Sequence, residues 1–233
     1  MGVDIGLIET VRVEEGRVPL WPLHRHRLVV SAQSLGVPLP AVLPSAGDVA
    51  LCAAGVTGPA AVRLIANSKG IRMDARAVPP CLEGWRACSV PLLEPSIPFR
   101  AHKTTLRSTH EAAMEYAKAR RCEEAIWVTK EGLLTEGTIT NLFLSIRGHL
   151  YTPRAMGSNL LPGIARGRLL AAGCIAGHPV TEANLVVADL VRAEEVFCTN
   201  AVRGAIPVLA LNDEQLGRGD LWREAAMLIF SPL

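Results

Sequence analysis

The chain opens on alternation. In "LIETVRVEEGRVPLW" Ile8, Thr10 and Arg12 share one face, the period of a strand, "EEGR" reads as a turn and "VPLW" as the returning strand. "PLHRHRLVVSAQSLGV" changes to a helical period and closes on Gly36. "AVRLIANSKGIRMDARAV" predicts a second hairpin around "NSKG". "PPCLEG" then breaks the chain and reads as a linker. Beyond it, "WRACSVPLL" predicts a strand and "RSTHEAAMEYAKARR" a helix. "EEAIWVTKEGLLTEGTITNLFLSIRGHLYTP" predicts three short strands separated by Gly132, Gly137 and the "RGH" turn. "LLPGIARGRLLAAG" is a glycine-opened helix ending at Gly173, and "TEANLVVADLVRAEEVFCTNAVRGAIPVLALND" mixes a short helix with two strands. Helices and strands intermix without strict β-α alternation, which predicts an α+β architecture. The division expected is a small N-terminal α/β domain over residues 1–80 and a larger C-terminal α+β domain over residues 84–233.

Composition narrows the class. Of 233 residues, 49% are hydrophobic, enough for a substantial core. Basic and acidic residues number 24 and 22, and aromatics make up 4%, so neither charge nor stacking surface points to nucleic acid. The six cysteines form no C-x-x-C pair and no grouping with histidine at metal-ligand spacing, so no metal site is expected. Scattered single cysteines suit a reducing cytoplasm. The start carries no basic n-region, and the longest apolar stretch is broken by Pro162, Arg166 and Arg168, so neither a signal peptide nor a membrane span is expected.

Five short stretches carry candidate chemistry. Lys103 in "RAHKTTLR" would serve as an amine nucleophile if burial and nearby positive charge lowered its pKa, and Arg100, His102 and Arg107 are its sequence neighbours. Glu136 in "LTEGTITNLF" could pair with a protonated ring nitrogen. Gly163 in "LLPGIARGRLL" frees amides at a helix start that could hold a phosphate. Arg27 in "HRHRL" could grip a phosphate through its bidentate fork. Thr199 and Asn200 in "FCTNAVRG" could close around an anion. Taken singly, each also fits a surface lysine, a basic helix face or an ordinary turn. Together they ask for a phosphorylated aldehyde with a basic ring nitrogen, which is pyridoxal 5'-phosphate.

In this order the motifs resemble the class IV aminotransferases, the fold-type-IV pyridoxal phosphate enzymes. The resemblance runs through "ETVRVEEGRVPLWPLHRHRLVVSAQSLG", "HKTT", "LLTEGTITNLF", "TPRAMGSNLLPGIARGRLL" and "VFCTNAVRGAIPV". It implies a two-domain, D-amino-acid aminotransferase-like fold, with the N-terminal domain shortened by loss of the strands and D-R-G…Y-G-D-G loop that usually precede the "ET" strand. It implies Lys103 as the Schiff-base lysine, Glu136 on the pyridine nitrogen and Arg27 on the phosphate, the last through the family's H-x-x-R-L. Gly163, Ile164 and Ala165 match the phosphate-cradling turn, and Thr199, Asn200 and Ala201 the second phosphate loop. Many relatives have a hydroxyl residue at Ala165, so only its backbone amide remains for that purpose.

Within the family, the threonine of "IETVR", Thr10, matches the residue that assists proton transfer in the lyases. The "RLIANSKG" hairpin lacks the "TRG" arginine of D-amino-acid aminotransferases. These features resemble the short 4-amino-4-deoxychorismate lyases of folate synthesis, which eliminate pyruvate to leave 4-aminobenzoate. Arg12, Arg63 and Arg107 are candidates, on charge alone, for the substrate's carboxylates. A class IV aminotransferase acting on D- or branched-chain amino acids would use the same residues, and a degenerate, non-catalytic member is the third reading. The resemblance further implies a cytoplasmic homodimer acting on a small amino substrate.

Overall fold

The computed structural model describes residues 5–80, 83–92, 98–155 and 160–232. Cys81 and Leu82 of the expected linker, and residues 156–159 of the "AMGSN" run, lie outside them. The first layer is an antiparallel sheet of β1 (Leu7–Val13), β2 (Ala60–Asn67) and β3 (Gly70–Ala77), in that spatial order. Two helices cover it, α1 (Trp21–Leu35) and α2 (Ala46–Cys52). Helix α1 starts on Pro22, whose ring pre-sets a helical φ, and stops at Gly36 in the left-handed region at φ 64°. Val11, Trp21, Leu28, Val49, Val62 and Leu64 form the core between sheet and helices.

The rest of the chain builds a larger mixed sheet from β4 (Trp85–Pro91) onward. After a short 3-10 turn (Pro98–Ala101) come α3 (Ser108–Ala119), β5 (Glu124–Val128), β6 (Leu134–Gly137), β7 (Asn141–Ile146) and β8 (His149–Pro153). There follow α4 (Ile164–Ala172), β9 (Cys174–Ile175), β10 (His178–Ala183), α5 (Val187–Arg192) and β11 (Glu195–Asn200). The chain finishes with β12 (Gly204–Leu211), β13 (Glu214–Gln215) and α6 (Leu221–Phe230). The sheet runs β11-β12-β4-β5-β6-β7-β8-β10-β9, and β11 also pairs with β7. That extra pairing joins β4, β5, β6, β7, β11 and β12 into a ring. One core of this unit holds Phe143 stacked on Phe197 at 5.3 Å, packed by Leu169, Ala225 and Ile229 from α4 and α6.

The α+β architecture is the one expected, and four local expectations change. The "EEGR" turn forms, with Glu15 and Gly16 at positive φ and Glu14 paired to Arg17, but no return strand follows. Pro19 has no N–H to continue the ladder and Pro22 starts a helix, so β1 takes β2 as its partner instead. The stretch from Glu123 to Pro153 gives four strands, because "TEG" before the "TITN" turn is a strand of its own. Helix α2, capped by reciprocal Ser45 and Asp48 hydrogen bonds, and helix α6 were not predicted. No helix among the described residues is long and apolar enough to cross a membrane.

Backbone hydrogen bonds tie the segment around Lys103 to the small sheet. The Ile8 N–H donates to the Lys103 carbonyl at 2.7 Å, and the Thr105 N–H donates to the Gly6 carbonyl at 2.8 Å. The "HKTT" segment therefore runs antiparallel beside β1, with Leu7 opposite Thr104. This pins the lysine backbone against the small sheet.

Candidate active site

A cavity of about 630 Å³ lies between the two sheets. It is lined by Thr10, Arg27, Arg63, Lys103, Arg107 and Glu136, and by Gly163, Ile164 and the Thr199-Asn200-Ala201 run. Two sequence-selected residues lie elsewhere. Ala165 is buried in the core beside Leu169. Arg12 is a correction. Its guanidinium donates to the Val202 carbonyl at 2.8 Å, pairs with Glu14 and lies over the Phe230 ring. It lines a separate cleft of about 680 Å³ with Arg203, Arg218 and Arg223, so it is spent outside the cavity that holds Lys103.

Lys103 is half-buried and its pKa is pushed down to about 7. Burial is the first cause and the guanidiniums of Arg107 and Arg27 the next, against the opposing pull of Glu9 and Glu136. Of the three sequence neighbours considered, Arg107 acts on the amine. Arg100 faces Glu136 instead, and the Nδ1 of His102 meets the Ser31 hydroxyl at 3.0 Å.

Arg27 reaches the cavity from α1, but its fork is not free. Its Nε and Nη2 donate to Glu9 Oε1 and Oε2 at 2.8 and 2.6 Å. The bidentate grip expected for a phosphate is thus given to a strand β1 carboxylate, and Nη1 is the nitrogen left on the cavity side, 3.4 Å from the Pro162 carbonyl. Buried His24, one turn before Arg27, also meets Glu9 Oε2 through Nδ1 at 2.6 Å. Burial lowers the His24 pKa, so at neutral pH its Nδ1–H donates to the carboxylate as a neutral imidazole. Burial works against the Glu9 charge, but Arg27 and His24 outweigh it and hold Glu9 at about 2.

Glu136 has the opposite surroundings. It is buried, accepts from the Leu161 N–H at 3.1 Å and weakly from Asn141 Nδ2 at 3.4 Å, and has Arg100 Nη2 at 3.7 Å. Burial dominates and pushes its pKa up to about 8. The strand end that carries Glu136 is fixed by a second buried carboxyl, Glu124. It accepts from the Thr138 N–H and hydroxyl and from the Thr140 hydroxyl, which shapes the "TITN" turn. A Cβ at Gly137 would lie 2.6 Å from the Glu124 carboxyl carbon, so that position admits only glycine. Gly163 is equally constrained, since a Cβ there would overlap Asn141 Oδ1.

Thr199 is fully buried, and its hydroxyl has no hydrogen-bond partner among the described residues. Asn200 Oδ1 accepts from the Val202 and Arg203 N–H groups at 3.0 and 2.8 Å, which closes the loop after β11. Helix α4 begins at Gly163 with no side-chain cap on its first turn. Sequence reading missed Glu9, Glu124 and Asn141, and named Arg100 only as a neighbour of Lys103. The acids Glu9 and Glu124 each sit in an apolar, strand-forming run, and that was the available signal.

The fold and this cavity together define a fold-type-IV pyridoxal phosphate enzyme. The family model for amino-transferase class IV matches residues 6–211, and the chain belongs to that family. A provisionally named branched-chain-amino-acid aminotransferase of Methanocaldococcus jannaschii is 28% identical over 240 residues, covering 91% of this chain and 82% of that protein. A Legionella pneumophila structure provisionally named 4-amino-4-deoxychorismate lyase superposes with a TM-score of 0.84 at 24% identity, over 98% of this chain and 94% of that one. A hypothetical aminotransferase from Mycobacterium tuberculosis, in its PLP-bound form, gives a TM-score of 0.80 at 22% identity, over 96% of this chain and 87% of that one. The cofactor of this enzyme is pyridoxal 5'-phosphate, and the reaction class is that of a lyase or an aminotransferase.

Proposed function

We propose that the enzyme is a 4-amino-4-deoxychorismate lyase, releasing pyruvate and leaving 4-aminobenzoate for folate synthesis. The observation that carries this reading is the set of guanidiniums on the substrate side. Arg63 and Arg76 from the small sheet and Arg107 beside Lys103 all line one cavity. Arg63 adds to the burial that lowers the Arg107 pKa, so the two guanidiniums repel each other and together favour an anion between them. A substrate with two carboxylates answers that charge; a branched-chain amino acid has one carboxylate and an apolar side chain.

The residues fit the cofactor on two counts. The orphaned hydroxyl of Thr199 and the uncapped first turn of α4 both suit a phosphate, with Arg27 Nη1 as a third donor. Lys103, Glu136 and those groups line the same cavity. When bound, pyridoxal phosphate supplies the electron sink for the pair released at the amino-bearing carbon. Glu136 holds a proton at the pyridine nitrogen. Lys103 would hold the cofactor, and its free amine, with a pKa of about 7, is suited to removing the proton from that carbon. Thr10, on the strand position opposite Arg63, orients the proton delivered to the departing enolpyruvyl group. Arg107 and Arg63 hold the carboxylates.

The second reading, an aminotransferase acting on D- or branched-chain amino acids, is favoured by the name of the Methanocaldococcus jannaschii relative. A non-catalytic member is disfavoured by the Lys103 and Glu136 environments. The homodimer implied by the family belongs to the same proposal and is checked by light scattering. The deciding experiment mixes holoenzyme with aminodeoxychorismate and follows 4-aminobenzoate fluorescence. Steady production supports the lyase. No 4-aminobenzoate, with pyridoxamine phosphate accumulating on D-alanine or a branched-chain amino acid, makes it an aminotransferase.

A further inference from the structure

Arg100 is an unusual arginine. It stands three residues before Lys103 in the 3-10 turn and is buried. Its guanidinium lies over the Trp127 ring at 5.2 Å, and its Nε and Nη2 have no hydrogen-bond partner among the described residues. The one anionic group recorded beside it among the described residues is Glu136, 3.7 Å from Nη2. Burying a guanidinium is costly, and an arginine kept for structure alone satisfies its donors. Arg100 leaves two nitrogens unsatisfied while aiming its charge at one carboxyl. We infer that Arg100 is a positioning residue that favours the anionic form of Glu136 and so places the proton they share on the cofactor's pyridine nitrogen. The inference rests on the reading of Glu136 as the partner of that nitrogen.

The physics is a competition of distances. Arg100 lies 3.7 Å from Glu136, so it would stabilise the carboxylate more than it would disfavour a positive ring nitrogen held on the far side of that carboxyl. The charged and titratable groups around Glu136 are Arg100, Lys103, Arg107 and Glu124, with the Leu161 N–H and, more weakly, Asn141 Nδ2 as its hydrogen-bond donors. Glu124 opposes ionisation of Glu136, and Lys103 loses its charge near pH 7, which leaves two permanent cations, Arg107 acting across the cavity and Arg100 paired with the carboxyl at 3.7 Å. His110 faces the same guanidinium but is held neutral, since burial and then Arg107, Arg100 and Lys103 push it down to about 4.

The test reads the proton. The full chain is reconstituted with pyridoxal phosphate carrying nitrogen-15 in the ring, and the ring-nitrogen shift is recorded at about pH 8, the midpoint to which Glu136 is pushed. The unsubstituted enzyme is expected at the protonated position and Glu136→Gln at the neutral one. Arg100→Met, which keeps an apolar stem on Trp127, is expected to move at least halfway toward neutral. Arg100→Lys restores most of the shift. If Glu136→Gln moves the signal and Arg100→Met does not, Arg100 has no such role while Glu136 keeps its own. A signal that Glu136→Gln leaves in place removes the reading of Glu136 and the inference with it. A shift in Arg100→Met that Arg100→Lys fails to reverse shows packing rather than charge at work, and overturns the inference. Should Arg100→Met not fold or not take up cofactor, Arg100→Gln makes the same comparison.

Discussion

The two ends of the site carry the same functional group in opposite states: Glu136 lines the cavity, and Glu9 lies behind Arg27, outside its lining. Glu9 and Glu136 are both buried carboxyls on strand positions. Glu9 is held at about 2 and Glu136 at about 8. Burial pushes both upward, so burial does not separate them. What separates them is the donors. Glu9 has three contacts at 2.6 to 2.8 Å, two from a guanidinium. Glu136 has a backbone N–H, a long amide contact and a guanidinium too far away to donate. A carboxylate spent as a permanent anchor for Arg27 needs the first environment. A carboxyl that exchanges a proton with a ligand needs the second.

The largest expected effect is at Lys103, which lies between the ends and is pulled by both carboxylates. Lys103→Ala should lower turnover by about a thousandfold or more and abolish the near-visible absorbance of the tethered cofactor. Retention of that absorbance would assign the tether to another group. Next come the carboxyls themselves. Glu9→Gln removes the carboxylate that half-buried Arg27 and buried His24 both bind and should cost about 1.5 to 3 kcal/mol of folding stability, read by urea denaturation. Glu136→Gln replaces a carboxyl already mostly protonated at neutral pH, so apoprotein stability should change by less than about 1 kcal/mol, while turnover falls about a hundredfold. Equal stability losses in the two variants would erase the contrast.

The pH dependence of apoprotein stability carries the same contrast with its sign. The Glu9 pKa is lowered from 4.5 to about 2, so its contribution is present above pH 4.5 and is lost as pH falls through that interval. The Glu136 pKa is raised from 4.5 to about 8, so the folded state keeps a proton that the unfolded state releases, and stability falls as pH rises between those values. Lys103, lowered from 10.5 to about 7, acts oppositely and adds stability as pH rises between about 7 and 10.5. Denaturation at a series of pH values should show Glu9→Gln flattening the acid limb and Glu136→Gln flattening the slope between pH 4.5 and 7.

A smaller effect is expected at Gly163. An added Cβ overlaps Asn141, whose Nδ2 holds the Leu161 carbonyl at 3.0 Å while the Leu161 N–H serves Glu136. Gly163→Ala should cost about 1 to 3 kcal/mol and weaken cofactor binding, measured by thermal melting and by titration with pyridoxal phosphate. An unchanged affinity would mean that the Asn141 link between the two ends is dispensable.

The α+β layout and the identity of the cavity-lining motifs were legible because glycines, prolines and periodicity mark them locally. The "LLPGIARG" helix start and the Gly36 stop are examples. The partners of those motifs were not legible. Nothing in "HRHRL" says that its arginine fork closes on Glu9, because that contact forms only when α1 packs on β1. Arg12 and Thr10 occupy alternate positions on one strand, so sequence gives them one face. Yet Arg12 extends to the Val202 carbonyl and the cleft beyond it, because a long side chain goes where an acceptor is. Arg100 and Arg107 flank Lys103 at similar sequence distance, and only packing decides which of them faces the amine and which the carboxyl.

The smallest effect sharpens the assignment of the anion end. Thr199 is fully buried with an idle hydroxyl, so the apoprotein bears a desolvated polar group that gains nothing from the protein. Thr199→Val removes the hydroxyl and keeps the shape. If the hydroxyl waits for a phosphate, the apoprotein should melt at the same or a higher temperature, while affinity for pyridoxal phosphate falls by about five- to tenfold, the worth of one hydrogen bond. The two readouts move in opposite directions only for a group that serves a ligand. A hydroxyl with a hidden structural role would lower both, and the phosphate would then depend on Arg27 Nη1 and the first turn of α4 alone.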